Sequence, residues 1–363
     1  MLVVVHNGFS YVCAFGFLPR FPISNEDNVA RMSLLEKFQP MIILLAVFIG
    51  LVLGQVNAIA AWAGRFILPF LILMLLGVFI QLPLRQVAGA FRHGRVAGLS
   101  LLINFVWNPL FAWLLGWFFL RQQPALWLGL IMLMVTPCTD WYLVFTNIAR
   151  GNVALSTALL PWNLLLQLLL LPLYLLLLAG TLVPLEWQVL VESVALVLLL
   201  PLVTAVLLRR LLLRVKGRDW LEQRLLPAIQ PGQILFLGLA ITAMFASEGA
   251  ALLESPLVFL ALLPPVLLFF AINFGLVYLL ARRLHIGYAD YAALCCTTLA
   301  RNSPIALAIA LVAFPERPLV ALALVIGPLI ELPVLSIVSQ LLLRVQRSGH
   351  LEFITVDIPD NAQ

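Results

Sequence analysis

From about residue 38 onward the chain is a succession of apolar runs, each near helix-spanning length, separated by short groups that hold nearly all of its charges. Crossing a bilayer as a helix takes about 20 apolar residues. On that measure the runs predict ten helices, at about 39–57, 66–84, 96–120, 125–148, 153–179, 188–212, 229–247, 257–281, 289–313 and 319–343. Little chain is left over: a first stretch, 1–37, and a tail, 346–363. Residues 1–31 are too short of apolar length to span and lack the basic start of a signal peptide. They read as an overlong start or a mobile tail ahead of Met32, with an amphipathic interfacial stretch as the alternative.

Composition supports lipid as the solvent. Of 363 residues, 63% are hydrophobic and only 10% are charged, where soluble domains carry about 25% charged. The net charge of +5 needs no nucleic-acid partner, because basic loops on one side of a membrane produce such an excess. The loops test the layout. With ten helices, 17 of the 21 Lys and Arg residues fall on one side, 3 fall on the other, and Arg301 lies inside the ninth helix. The expectation is a multi-pass inner-membrane protein with both termini cytoplasmic, its main basic anchor running from Arg209 to Arg224. The four cysteines form no visible disulfide framework, the four histidines show no metal-ligand spacing, and no Gly-Lys phosphate loop is present. No cofactor is expected.

Five helices before the loop near 181–187 and five after it would place the second half upside down, the arrangement of inverted repeats in secondary transporters. The repeats are read as 38–180 and 188–345. Weak echoes accompany the count. Asn104-Phe105 in the third helix answers Asn273-Phe274 in the eighth, and prolines flank Gln167 in the fifth and Glu331 in the tenth. The fourth helix is interrupted by Thr136-Pro137-Cys138-Thr139-Asp140 and the ninth by Arg301-Asn302-Ser303-Pro304. Pro137 and Pro304 each remove a backbone donor. In lipid the freed carbonyls must find partners, so such breaks survive only against protein or a wet cavity, where their dipoles are offered to a ligand.

Asp140 and Arg301 lie well inside their spans, where a charge costs roughly 2.5–3.5 kcal/mol on insertion scales. A pair between them would offset much of that. It would be a structural salt bridge, a substrate or proton site, or both. Glu331 is a third intramembrane candidate. Asn104, Asn108, Asn163 and Gln167 either line the same cavity or tie helices together. Cys138 is either a soft ligand or a small packed residue, and at most one of Cys295 and Cys296 can face a cavity.

The stretch TPCTDWYLVFTNIARGNVALSTALLPWNLLLQLLLLP (136–172) resembles the fourth helix and the start of the fifth in the bile acid:sodium symporter superfamily, which includes the arsenite-efflux permeases. LARNSPIALAIALVAF (299–314) resembles its ninth helix, with Asn302 on the crossover asparagine. The resemblance implies an all-α membrane fold of ten helices in two inverted five-helix repeats, with broken helices 4 and 9 crossing. The candidate substrate and ion contacts are Cys138, Thr139, Asp140, Arg301, Asn302, Ser303, Asn104, Glu331 and Asn163, of which Asn302 and Cys138 fall on positions of the family's motifs. The chain departs from the sodium-coupled pattern. Thr297 and Arg301 stand where a glutamate and a glutamine are expected, Tyr142-Leu143 where a Ser-Asn pair is expected, and Asn104 in place of a glutamine. Cys138 falls on the cysteine of the arsenite permeases.

The expected function is secondary transport of a small oxyanion, arsenical or organic anion, coupled to H+ in preference to Na+. Arg301 would attract the anion and Asp140 would exchange the proton. The alternatives are a sodium-coupled organic anion symporter and a non-transporting membrane sensor. An enzyme would need a nucleophile, base or metal cluster near an interface, and the sequence offers none.

Overall fold

The computed structural model describes residues 3–6, 9–12, 34–81, 94–139, 141–180, 187–254 and 256–348. The chain divides into two compact units, Met1–Lys37 and Phe38–Gln363. In the first, strand β1 (Val3–His6) pairs antiparallel with β2 (Phe9–Val12), Val3 opposite Val12 and His6 opposite Phe9. No strand was expected in this segment. Val-Val-Val and Phe-Ser-Tyr-Val are β-prone, and the Asn-Gly pair between them in the sequence is the strongest short hairpin signal.

The helices follow in order. They are α1 (Leu34–Leu53), α2 (Asn57–Gln81), α3 (Gly94–Phe119), α4 (Pro124–Met134), α5 (Trp141–Ile148) and α6 (Val153–Tyr174). Then come α7 (Trp187–Val215), α8 (Leu226–Glu254), α9 (Pro256–Arg283), α10 (Tyr288–Leu299), α11 (Ser303–Ala313) and α12 (Pro318–Arg347). Among the described residues, seven helices are long and apolar enough to cross a membrane, while α4 and α11 are shorter apolar pieces. A π-helical turn, Ile103–Trp107, lies within α3.

Two sequence boundaries move. The loop expected at 58–65 is the first part of α2, and the chain turns at Gly54–Val56 instead. Arg65, which marked that loop, is an exposed helical residue whose guanidinium lies 4.3 Å from the centre of the Trp62 ring. Its charge therefore needs no loop. The anchor expected at 209–224 is also mostly helical. It breaks at Lys216–Gly217, where Gly217 takes φ 81°, a conformation that costs glycine little. Arg209 donates to the main-chain oxygen of Ile80 at 3.1 Å and so satisfies the end of α2.

Two packed groups emerge from the contacts. In one, α2 packs chiefly on α8 and α7, and α1 approaches α8 at Gly50, where an added Cβ would lie 2.6 Å from the carbonyl oxygen of Thr242. Small residues permit such approaches where lipid supplies no hydrophobic drive between helices. In the other, α12 and α3 pack on α4, and α9 packs on α10, α3 and α12. The groups meet where α11 touches α2 and α7.

Candidate functional site

The chain leaves the helix between α4 and α5, and again between α10 and α11. There the two open segments pass each other, with Pro137 and Arg301 facing as an antiparallel pair. The Cys138 N–H donates to Ala300 O at 3.0 Å and the Asn302 N–H to Thr136 O at 2.7 Å. A helix end leaves its last carbonyls without intrahelical partners, and here they are accounted for. The Thr136 hydroxyl lies within hydrogen-bond distance of Met132 O and Leu133 O, while that of Thr298 reaches Leu294 O and Cys295 O. Asn104 donates to Thr297 O and Asn108 to Thr298 O, both at 3.2 Å.

Arg301 completes the set. Its side chain is 2% exposed. The guanidinium donates to Met134 O at 2.8 Å, Thr298 O at 2.5 Å, Leu299 O at 3.2 Å and Asn104 Oδ1 at 2.8 Å. Its central carbon lies 5.4 Å from the centre of the Phe269 ring, which stacks in turn on Phe111 and, beyond it, Trp107. Burying the charge costs roughly 2.5–3.5 kcal/mol on insertion scales. Hydrogen bonds to a charged group contribute about 1.5–3 kcal/mol each, so four of them offset that cost. The Arg301 main-chain N–H donates to Glu331 Oε1 at 2.8 Å, which brings α12 to the same crossing.

On the other side of the crossing lies a narrow cleft of about 370 Å3, its open mouth included. Thr139, Trp141, Arg301, Asn302, Ser303 and Pro304 line one wall, and Met74, Leu75, Val78 and Leu237 of α2 and α8 line the other. The cleft therefore lies between the two packed groups. Asn302 organises its polar wall: its side-chain oxygen accepts from the Ile305 N–H at 3.2 Å, capping α11, and its nitrogen donates to the Thr139 hydroxyl at 3.0 Å. The Ser303 hydroxyl is buried and has no protein hydrogen-bond partner among the described residues. Gly327 of α12 admits this wall closely. A Cβ there would lie 2.8 Å from Ser303 Oγ and 2.7 Å from Leu133 Cδ1.

Residues 68–255, a little over half of the chain, match the Sodium Bile acid symporter family. A relative, the arsenical-resistance protein Acr3 of Corynebacterium glutamicum, is 30% identical over 84% of this chain and 88% of its own length. The chain belongs to the Sodium Bile acid symporter family. It is a multi-pass membrane transporter and not an enzyme. An uncharacterized transporter of Synechocystis is 28% identical over 85% of this chain and 88% of its own length. The Acr3 arsenical-resistance protein of Alkaliphilus metalliredigens is 25% identical over 57% of this chain and 58% of its own length.

Within this family member the residues singled out from the sequence divide into groups. Thr139, Asn302, Ser303 and Pro304 meet at the cleft. Asn104, Glu331 and the Arg301 guanidinium meet behind it. The guanidinium is directed at groups that do not line the cleft. Cys138 is buried beside Thr139 and does not line the cleft. Asn163 and Gln167 are fully buried on α6, and their side-chain amide atoms have no protein hydrogen-bond partner among the described residues. Cys295 and Cys296 are buried, unbridged thiols. Asp140, and with it the expected Asp140–Arg301 pair, lies outside the described residues. Among the described residues no three His, Cys, Asp or Glu side chains cluster as metal ligands.

Several participants were not anticipated. Ser100 joins Thr297 at 2.9 Å, the Tyr142 hydroxyl donates to Ser156 O at 2.6 Å, and Trp141 walls the cleft. Ser100, Asn104 and Asn108 recur every four residues along α3, and that polar row was the readable signal for this face.

Proposed function

We propose that the protein is a secondary active transporter that moves a small oxyanion, arsenical or organic anion by alternating access, with the cleft at the helix crossing as its substrate site. The observation that carries this reading is the position of the cleft. It lies where two broken helices pass, between two separately packed groups of helices, and it holds a buried hydroxyl without a protein partner among the described residues. Thr139 and Ser303 offer hydroxyl donors to an anion. The N-terminus of α11 adds a partial positive charge of about half a unit, and Arg301 raises the potential from behind. Met74, Leu75, Val78 and Leu237 exclude water from the opposite wall.

Counting α4 with α5 and α10 with α11 as single broken spans gives ten spans in two inverted repeats, 38–180 and 188–345, a layout supported by the matching breaks. The partition of basic residues supports cytoplasmic termini in an inner membrane. Access alternates as α1, α2, α7 and α8 move against the remaining helices. Asp140, next to Thr139, takes up or releases the proton that accompanies the substrate. The two arsenical-resistance relatives favour an arsenical as cargo; Cys138, buried off the cleft in this state, then adds affinity as a soft ligand only where the cycle opens the crossing to it.

Flux into proteoliposomes under an imposed pH gradient tests the reading. Wild-type protein should concentrate arsenite or a small organic anion, and Asp140→Asn should abolish the gradient-driven part. Unchanged gradient-driven flux in that variant removes the proton role. Protection of an arsenic-sensitive host that survives Cys138→Ser undiminished removes the thiol from the mechanism. A sodium-coupled organic anion symporter is the second reading, favoured by the family's description. A sodium gradient in place of the pH gradient separates the two.

A further inference from the structure

We propose that Arg301 is a resident cation. Its guanidinium fills, from within the chain, a place at the helix crossing that calls for a positive charge, and so frees both the crossover and its transport cycle from sodium. The transport half of this inference rests on the function proposed above; the structural half does not.

α4 and α10 both stop at the crossing and turn their C-terminal carbonyls toward it. A helix C-terminus carries roughly half a negative charge, so the two together present about one. Met134 O from α4, Thr298 O and Leu299 O from α10, and Asn104 Oδ1 from α3 converge on a single point. A cage of neutral carbonyl and amide oxygens is the donor set of a hard cation. Here the +1 charge that balances it is covalently part of the chain, and the face of Phe269 closes the remaining side.

A sodium ion does not fit beside it. The four oxygens are already hydrogen-bonded to the guanidinium, and an ion bound to them would stand in contact with a like charge in a site from which water is excluded. No step of the cycle is therefore routed through sodium at this place. The Glu331 carboxylate accepts the Arg301 main-chain N–H, and its charge also attracts the guanidinium, so it adds to the demand for a cation at this place.

The test uses purified full-length protein, read by thermal unfolding in detergent and by flux in proteoliposomes. For the wild type, the unfolding temperature and the flux under a pH gradient should be the same in sodium and in choline chloride at equal ionic strength. Arg301→Ala should unfold several degrees lower and lose flux by about tenfold or more, since it strips the cage of its charge. Millimolar guanidinium or methylguanidinium, far below denaturing concentration, should restore a large part of both. Arg301→Met keeps the bulk of the side chain without the charge and covers the case in which the alanine variant does not fold. It too should be destabilised.

A wild type that needs sodium for stability or flux overturns the proposal. So does an Arg301→Met protein as stable as wild type, or an Arg301→Ala protein that guanidinium does not rescue. If the wild type is inert in every flux assay while the thermal rescue holds, the transport reading fails and the resident cation stands.

Discussion

The side-chain nitrogen of Asn302 donates to the hydroxyl of Thr139 at 3.0 Å, joining the two broken helices where they pass. The same amide caps α11 through the Ile305 N–H. Asn302→Ala removes both bonds, and a helix cap and a buried hydrogen bond each contribute about 1 kcal/mol. The expected loss is about 2 kcal/mol in thermal or denaturant unfolding. Asn302→Asp keeps the cap acceptor and loses the donor, so it should fall between the alanine variant and the wild type. A double-mutant cycle with Thr139→Val should return a coupling of about 0.5–1.5 kcal/mol.

Ser303 should separate stability from transport. Its buried hydroxyl has no protein partner among the described residues, so Ser303→Ala should leave the unfolding temperature unchanged or slightly raised. If the hydroxyl donates to a bound anion, losing a bond worth about 1.5–3 kcal/mol raises the substrate concentration for half-maximal flux by roughly tenfold to a hundredfold. A variant with normal flux kinetics would place the substrate elsewhere.

At Gly327 a methyl group has no room: it would lie 2.7 Å from Leu133 Cδ1 and 2.8 Å from Ser303 Oγ. Gly327→Ala should therefore push α12 away from α4 and α11, destabilise the protein by about 1–3 kcal/mol as overpacking does, and reduce flux. Gly275 of α9 is the control. Nothing lies within 4 Å of a Cβ there, and Gly275→Ala should be neutral or stabilising by up to about 1 kcal/mol.

Asn163 and Gln167 carry amides that are buried and lack protein partners among the described residues. Leaving a buried polar group without a partner costs about 1–3 kcal/mol. Asn163→Leu and Gln167→Leu should each raise the unfolding temperature. A fall in stability would show that these amides are satisfied in the folded protein and hold α6 in place.

The sequence made the two breaks readable, because Pro137 and Pro304 interrupt long apolar runs and each stands beside polar residues. It could assign a cost to burying Arg301 but not its partners. Three of the four acceptors are main-chain oxygens, which every residue carries, so no side-chain identity at Met134, Thr298 or Leu299 announces them. The acidic partner expected for Arg301, Asp140, lies outside the described residues; among those described, carbonyls from two helix ends accept its hydrogen bonds. The start of α2 was misplaced for a related reason. Arg65 marks a loop when charge is taken to mean solvent, whereas its position beside Trp62 lets it ride on a helix.

The π turn in α3 has a consequence for any attempt to shorten or transplant that helix. On a regular α-helix a row of residues spaced by four drifts around the axis by roughly 40° at each step. Ser100, Asn104 and Asn108 nevertheless all bond to the Thr297–Thr298 end of α10, and the wider turn at Ile103–Trp107 takes up the drift. Pro109, four residues on, has no N–H to offer the Phe105 carbonyl, which the Tyr174 hydroxyl takes at 2.5 Å. Deleting one residue from this turn would leave α3 apolar and fully helical by every compositional measure. It would also swing Asn108 about 100° out of line, so that the helix would still insert yet no longer register with the half-helix it secures.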